Sequence, residues 1–230
     1  MLSKFCFFFV LLFSLQAQAS ESLDRAFSYQ VRIALFNAGD LNFRLSTSVF
    51  SYTFLGEFQT SGIINKYYSW KGEFAALGEY EAGRPTTRKY YARSESKDHE
   101  LKIVLLKDDG IRLLEAGSSR FKDLVRPKGD DLISAFFFSP DCYRGNYVND
   151  GEDSFEVVLI KQRDLSKWKS SFASMRRCYY RVKDYKGRTR KLNVELATTE
   201  HGIVASEVRI KVPLLPDIVF DLKEISQVLK

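Results

Sequence analysis

The chain has 230 residues, 45% of them hydrophobic and 14% aromatic, with 35 Lys and Arg against 29 Asp and Glu for a formal net charge of +6. That length supports one domain with a real core, or two small ones. The basic excess is spread along the chain, which excludes a concentrated polybasic arm and leaves a soluble basic surface or attraction to an anionic partner such as lipid head groups, lipopolysaccharide or acidic polysaccharide.

The first residues carry an address. Lys4, an apolar run over 5–15 and the small residues Ala17 and Ala19 around Gln18 have the layout of a secretory signal peptide cleaved after Ala19. Residues 1–19 are thus expected to be the signal peptide and 20–230 a single β-rich domain. A retained anchor would need about twenty apolar residues, and Gln16 and Gln18 interrupt the run too early, so no transmembrane anchor is expected after cleavage. Lipoprotein processing is disfavoured because Ser20, not Cys, follows the site, while Cys6 lies inside the apolar run. The expected location is the periplasm, a compartment that disfavours nucleic acid as a partner.

From Ala26 the chain alternates. Phe27, Tyr29, Val31, Ile33 and Leu35 share one parity and Ser28, Gln30 and Arg32 the other, the period of a half-buried strand. Asn37-Ala38-Gly39-Asp40 reads as the hairpin turn, and a second run over 40–61 places Leu41, Phe43 and Leu45 on one face. After Gly62, the spacing of Ile63, Ile64, Tyr67, Tyr68 and Trp70 suits a short helix or a wide loop. Strand signals return over 72–83, 86–97 and 99–117, with turns at Gly83-Arg84-Pro85 and Asp108-Asp109-Gly110. Turn residues roughly every eight to twelve positions give the rhythm of an antiparallel sandwich or barrel.

Further on, Asp130 or Asp131 can cap a short helix over 132–138, which Pro140 ends. Strands resume at Gly145 to Val148, turn at Asn149-Asp150-Gly151 and continue over 154–162. Residues 164–174 look like an inserted loop or a pair of helical turns. Strands over 175–185, 190–199 and 203–214 follow, with turns at Lys186-Gly187 and near His201-Gly202. At the end, Leu222, Ile225, Val228 and Leu229 stand at helical spacing, with a strand up to Leu222 as the alternative. No internal repeat or low-complexity linker divides the chain.

After cleavage two cysteines remain, Cys142 and Cys178. An even pair in an oxidising compartment reads as a disulfide, and closing that loop stabilises by about 4 kcal/mol on the chain-entropy argument.

The order of these features resembles a family of bacterial secreted proteins catalogued as domain of unknown function 3108. The resemblance rests on Tyr29-Gln30-Val31, Ala38 to Phe43, Thr60-Ser61-Gly62, the aromatic cluster over 67–74 and 83–91, and continues through 131–136, 149–157, 176–182 and 202–214. It implies a mainly β fold, a single antiparallel, strongly curved sheet or open β-barrel with one or two short helices, shaped like periplasmic carriers of lipoproteins. No activity is established for that family. The chain departs from its pattern in a longer 164–174 segment and in Cys142.

No constellation for catalysis stands out. There is no GxSxG elbow, Ser134 sits in an apolar helix, and His99 and His201 are about a hundred residues apart without neighbouring ligands. Carboxylate pairs at 108–109, 130–131 and 152–153 lie beside glycine, where turn or cap chemistry explains them. No metal and no cofactor are expected. The features with a functional edge are the aromatic cluster Tyr67, Tyr68, Trp70 and Phe74, with Tyr67 and Trp70 the groove candidates from it, and the consecutive Phe136, Phe137 and Phe138, because three phenylalanines on one short helix cannot all face a single wall. Either a curved sheet wraps the helix and buries all three, or one side meets a bound apolar ligand. The expected function is a non-enzymatic envelope protein that binds a lipid, lipoprotein or other amphiphilic envelope component in the concavity of the sheet. The alternative is a scaffolding protein acting through contacts with another envelope protein.

Overall fold

The structure, a computed structural model, describes residues 23–81, 84–96, 101–107, 110–115, 118, 120–165, 174–200, 202–211 and 213–227. The signal-peptide segment, His99, His201, the Asp108-Asp109 pair, residues 166–173, Val228 and Leu229 lie outside these.

Period-2 alternation becomes strand throughout. The first eight strands are β1 (Leu23–Ile33), β2 (Phe36–Thr47), β3 (Ser51–Thr60), β4 (Trp70–Glu81), β5 (Arg84–Ser96), β6 (Leu101–Lys107), β7 (Gly110–Leu114) and β8 (Lys122–Leu124). Then come β9 (Asp130–Asp131), β10 (Tyr147–Asn149), β11 (Ser154–Leu165), β12 (Ser174–Lys183), β13 (Thr189–Thr199), β14 (Gly202–Lys211) and β15 (Ile218–Gln227). Among the described residues two short helices interrupt them, α1 (Gly62–Tyr67) and α2 (Leu132–Phe137). All fifteen strands belong to one sheet in the order β8 to β1, then β15 down to β9. Every pairing is antiparallel except β9 with β10. Strands β1 and β15, far apart in sequence, therefore sit side by side at its centre.

The sheet curls around α2. Phe27, Tyr29, Val31, Leu41, Phe43 and Leu45 turn inward and are buried, while Asn42 and Arg44 face out. Phe138 meets Phe27, Phe43 and Phe54 at ring separations of 5.6, 5.4 and 5.8 Å. Phe137 meets Tyr29, Phe43 and Phe220 at 5.2, 5.3 and 5.8 Å. Phe136 turns the other way, towards Tyr143 and Tyr180. The three successive rings thus point at three parts of one curved wall, and all are buried.

The two wings of the sheet approach each other through side chains. Asp131 accepts from the Thr87 hydroxyl of β5, Arg126 donates to the Thr87 carbonyl at 2.8 Å, and Lys102 of β6 pairs with Glu152. Gly151, at φ +93°, lies against Tyr90, and a Cβ there would stand 2.6 Å from the ring. A side chain would wedge this seam open.

Asp131 also caps α2, accepting from the backbone N–H of Ile133 at 3.1 Å and of Ser134 at 2.9 Å. Burial holds its carboxyl above the ordinary carboxylate range, although hydrogen bonds from Ser134, Thr87 and Ile133 pull the other way. The folded protein therefore holds this proton more tightly than the unfolded chain. Its contribution to stability is fully present below the ordinary carboxylate pKa and is lost as pH rises through the raised value. Asp131→Ala removes the cap and the carboxylate that accepts from Thr87, leaving that hydroxyl to Tyr52 at 3.1 Å, and is expected to cost about 2 kcal/mol. Asp131→Asn keeps the acceptor without the buried charge, so in denaturant titrations its stability relative to the parent should improve from about pH 4 to pH 7. An Asn variant that loses ground over that range would contradict this assignment.

Several sequence expectations change. The first hairpin turns at Ala34 and Leu35, with Ala34 at φ +54°, and Asn37 to Asp40 belong to β2. A bulge between Val31 and Arg32 shifts the register there, and Asn37 bonds the Gly39 N–H inside the strand. The run over 40–61 is two strands, split by a turn in which Ser48 and Ser51 bond one another. Of the two readings of the terminal segment, the strand holds and runs past Leu222 to Gln227 as β15, because partners wait on both sides in β1 and β14. The spacing of Leu222 and Ile225 reflects a bulge in β15 itself, where Lys223 falls without a partner between Ser28 and Tyr29 of β1.

Candidate functional site

Between α2 and the concave face lies a cavity of about 760 Å³, within the span of about 300–1,000 Å³ usual for small-molecule sites. Its floor is Leu132, Ile133, Phe136 and Phe137 of α2. Its walls are the inward residues of neighbouring strands: Val31, Ile33 and Leu41, then Val208, Ile210, Ile218 and Phe220, then Val182 and Leu192. Phe58, Phe74, Trp70, Ile64 and Tyr68 complete the far side. A sealed apolar void of this size would cost on the order of 18 kcal/mol at the rate measured for core cavities, more than the roughly 5–15 kcal/mol by which domains are stable. The volume is instead open at one rim, where exposed Tyr68, Tyr185 and Arg188 border it.

The mouth is polar on one side. Asp184, Arg188, Arg190 and Asp153 line it. Arg188 and Asp184 satisfy each other, Nε to Oδ2 at 2.6 Å. Arg190 shares the inward parity of Leu192 and Val194 and makes no ion pair among the described residues. An apolar interior thus ends at an exposed arginine on the rim.

The sequence-predicted residues divide. Phe136, Phe137, Trp70, Tyr68 and Phe74 line the cavity, and Trp70 packs against Phe58 at 4.7 Å between ring centres with the planes tilted. Phe138 does not line it and faces the solid aromatic core. Tyr67 is 81% exposed on α1 and lies off the wall, while its neighbour Tyr68 is on it. None of the three phenylalanines is exposed at the mouth, because the sheet wraps the whole of α2. Arg190, Ile64, Ile210 and Ile218 were not singled out from the sequence. Strict alternation through Arg190, Leu192 and Val194 carried the signal for the first of them. Among the described residues, no group of three or more His, Cys, Asp or Glu is placed to hold a metal ion.

Cys142 and Cys178 form a disulfide. It ties the segment after α2 to the inner face of β12, beside the ion pair of Arg176 with Asp141 at 2.7 Å, so the floor of the cavity is fastened to its wall.

No family model matches the chain, and no curated protein does. Among solved structures, a β-barrel-like protein of domain of unknown function DUF1849 from Brucella abortus superposes with a TM-score of 0.51 at 11% identity, over 91% of this chain and all of that one. That family differs from the one the sequence motifs resemble. The likeness establishes the architecture alone: the chain has the fold of an uncharacterised β-barrel-like protein.

Proposed function

We propose that the chain is a secreted, periplasmic envelope protein without enzymatic activity, and that it holds an apolar or amphiphilic molecule, such as a lipid or the acyl part of a lipoprotein, in the cavity over α2. The single observation that carries this reading is an open apolar cavity of about 760 Å³ ending at Arg190. Burying a chain of methylenes there stabilises the complex by about 0.8 kcal/mol for each one. The guanidinium suits an anionic head at the mouth. The signal-peptide layout of residues 1–19 supports the compartment.

Lipid extracted from the purified protein and identified by mass spectrometry tests the reading directly. In a titration with a fluorescent fatty-acid probe, Ile210→Trp should fill the cavity and lower affinity by about tenfold or more, with the melting temperature held or raised. Arg190→Glu should weaken the anionic probe and leave a neutral analogue nearly unchanged. Protein that carries no lipid, and a parent protein that takes up no probe, would replace this reading with the scaffolding one.

A further inference from the structure

We propose that the rim of loops around the cavity mouth docks on the surface of an anionic phospholipid bilayer. The purpose of such docking rests on the ligand-holding reading above, but the surface is argued from different residues.

Four neighbouring connections form the rim: the turn between β1 and β2, the loop between β14 and β15, the turn between β12 and β13, and α1. Ala34 N–H bonds the Asp217 carbonyl at 3.4 Å and Ser61 N–H bonds the Ala38 carbonyl at 3.1 Å, joining three of them. Each flanks a residue of the cavity wall, in turn Ile33, Ile218, Val182 and Ile64.

The tips of these loops are apolar without a folding reason to be so. Leu35 is 93% exposed and Leu214 fully exposed, with Phe36, Leu215 and Ile63 beside them. Leu214 stands at φ +64°, a left-handed position that glycine or asparagine fills at less strain and a bulky side chain rarely adopts. Pro213 and Pro216 bracket the two leucines and stiffen the loop. Both strain and exposure count against leucine in the folded monomer, so its presence fits a surface that receives it.

Behind the tips lies a row of cations. Arg181, Lys191 and Lys211 stand opposite one another across β12, β13 and β14, all exposed on the outer face. Like charges so placed destabilise a sheet. The row formed by Arg177, Glu195 and Glu207 is balanced by contrast, with Arg177 paired to Glu195 and Arg209 to Glu207 at 3.0 Å. Lys66 and Lys183 add to the cationic side and make no ion pair among the described residues. The carboxylates of this sector are engaged, Asp184 with Arg188 and Asp217 with Arg209. The acidic turn Asp150, Glu152 and Asp153 follows on the side of the seam and bounds the surface.

Spacing selects a bilayer over a protein partner. Lys211 precedes Leu214 by three residues, at most about 10 Å of extended chain, and interfacial segments bury their apolar side roughly 5–10 Å below the head groups. Leucines on separate turns therefore reach the acyl boundary while the cation row sits at phosphate level, and the cavity mouth opens onto the lipid.

Flotation with phosphatidylethanolamine vesicles containing phosphatidylglycerol, against phosphatidylcholine vesicles, reads the proposal. The parent protein should bind the anionic vesicles at low salt. A variant with Leu35→Ser, Leu214→Asn and Leu215→Ser should lose roughly tenfold or more in affinity while melting no lower, since Asn tolerates the left-handed position. Lys191→Gln with Lys211→Gln should erase the preference for anionic vesicles. A parent that does not float, loop variants that bind as the parent does, or a rim that instead holds two copies together in sedimentation would overturn it. Fatty-acid probe uptake, measured without vesicles on the same proteins, is expected to be unchanged. Vesicle binding that depends on the leucines in a protein that takes up no probe would leave the docking surface standing and the ligand reading fallen.

Discussion

Truncating Phe138 to alanine is expected to cost about 4–5 kcal/mol, and truncating Phe137 nearer 3, although the two are adjacent and equally buried. The difference lies in what surrounds the vacated volume. Phe138 is enclosed by Phe27, Phe43 and Phe54, rigid rings that cannot collapse into the space, so the whole loss of contact is felt. Phe137 already borders the open cavity, and its removal enlarges a volume that solvent or ligand reaches. Urea denaturation should return that order. The probe titration should separate the two further, with uptake unchanged in Phe138→Ala and altered in Phe137→Ala. Equal losses of stability with equal effects on uptake would mean that α2 is a plug and that the cavity does not use it.

The double replacement of Cys142 and Cys178 by alanine is expected to lower stability by about 2–4 kcal/mol. The bond closes a loop across 36 positions that contains β10 and β11, so the unlinked unfolded chain gains much freedom. In the folded state its removal leaves the segment after α2 tied to β12 by Arg176 with Asp141 and by Phe136 with Tyr180, while the Asp131 cap and the rings around Phe137 and Phe138 still hold the helix itself. Thiol labelling of denatured, unreduced protein should find neither cysteine reactive. Two labelled thiols would exclude the bond, and a double variant as stable as the parent would show that it contributes nothing measurable.

Much of this architecture was legible in the residues. Period 2 marked the strands, the Asp131 cap and Pro140 marked α2, and the pair of cysteines left after the apolar leader marked the disulfide. The bulge between Val31 and Arg32 was not, because a bulge is a property of two strands together, and it displaced the hairpin turn from the Asn-Gly pattern that local chemistry favours. That the strand offered up to Leu222 runs on through Gln227 was hidden for a similar reason: beyond Asp221 its partner is β1, and Arg32 with Asp221 are separated by 189 positions. Within the site, Phe136, Phe137 and Trp70 were found because aromatic clusters are conspicuous. Arg190 was not, since one arginine among 35 basic residues looks like surface until its parity is set against an inward wall.

The central place of β1 and β15 bears on how the chain reaches this state. Strand β15 is bonded on one side to β1, which heads the wing running to β8, and on the other to β14, which heads the wing running back to β9. Until residues 218–227 arrive, the two wings share no strand pairing and α2 has only part of its wall. Closing contacts of such sequence separation is slow, and here the slowest closure is also the one that makes the sheet continuous. Residues 218–227 therefore act as a zipper, since the pairing that forms latest is the one that joins the two wings.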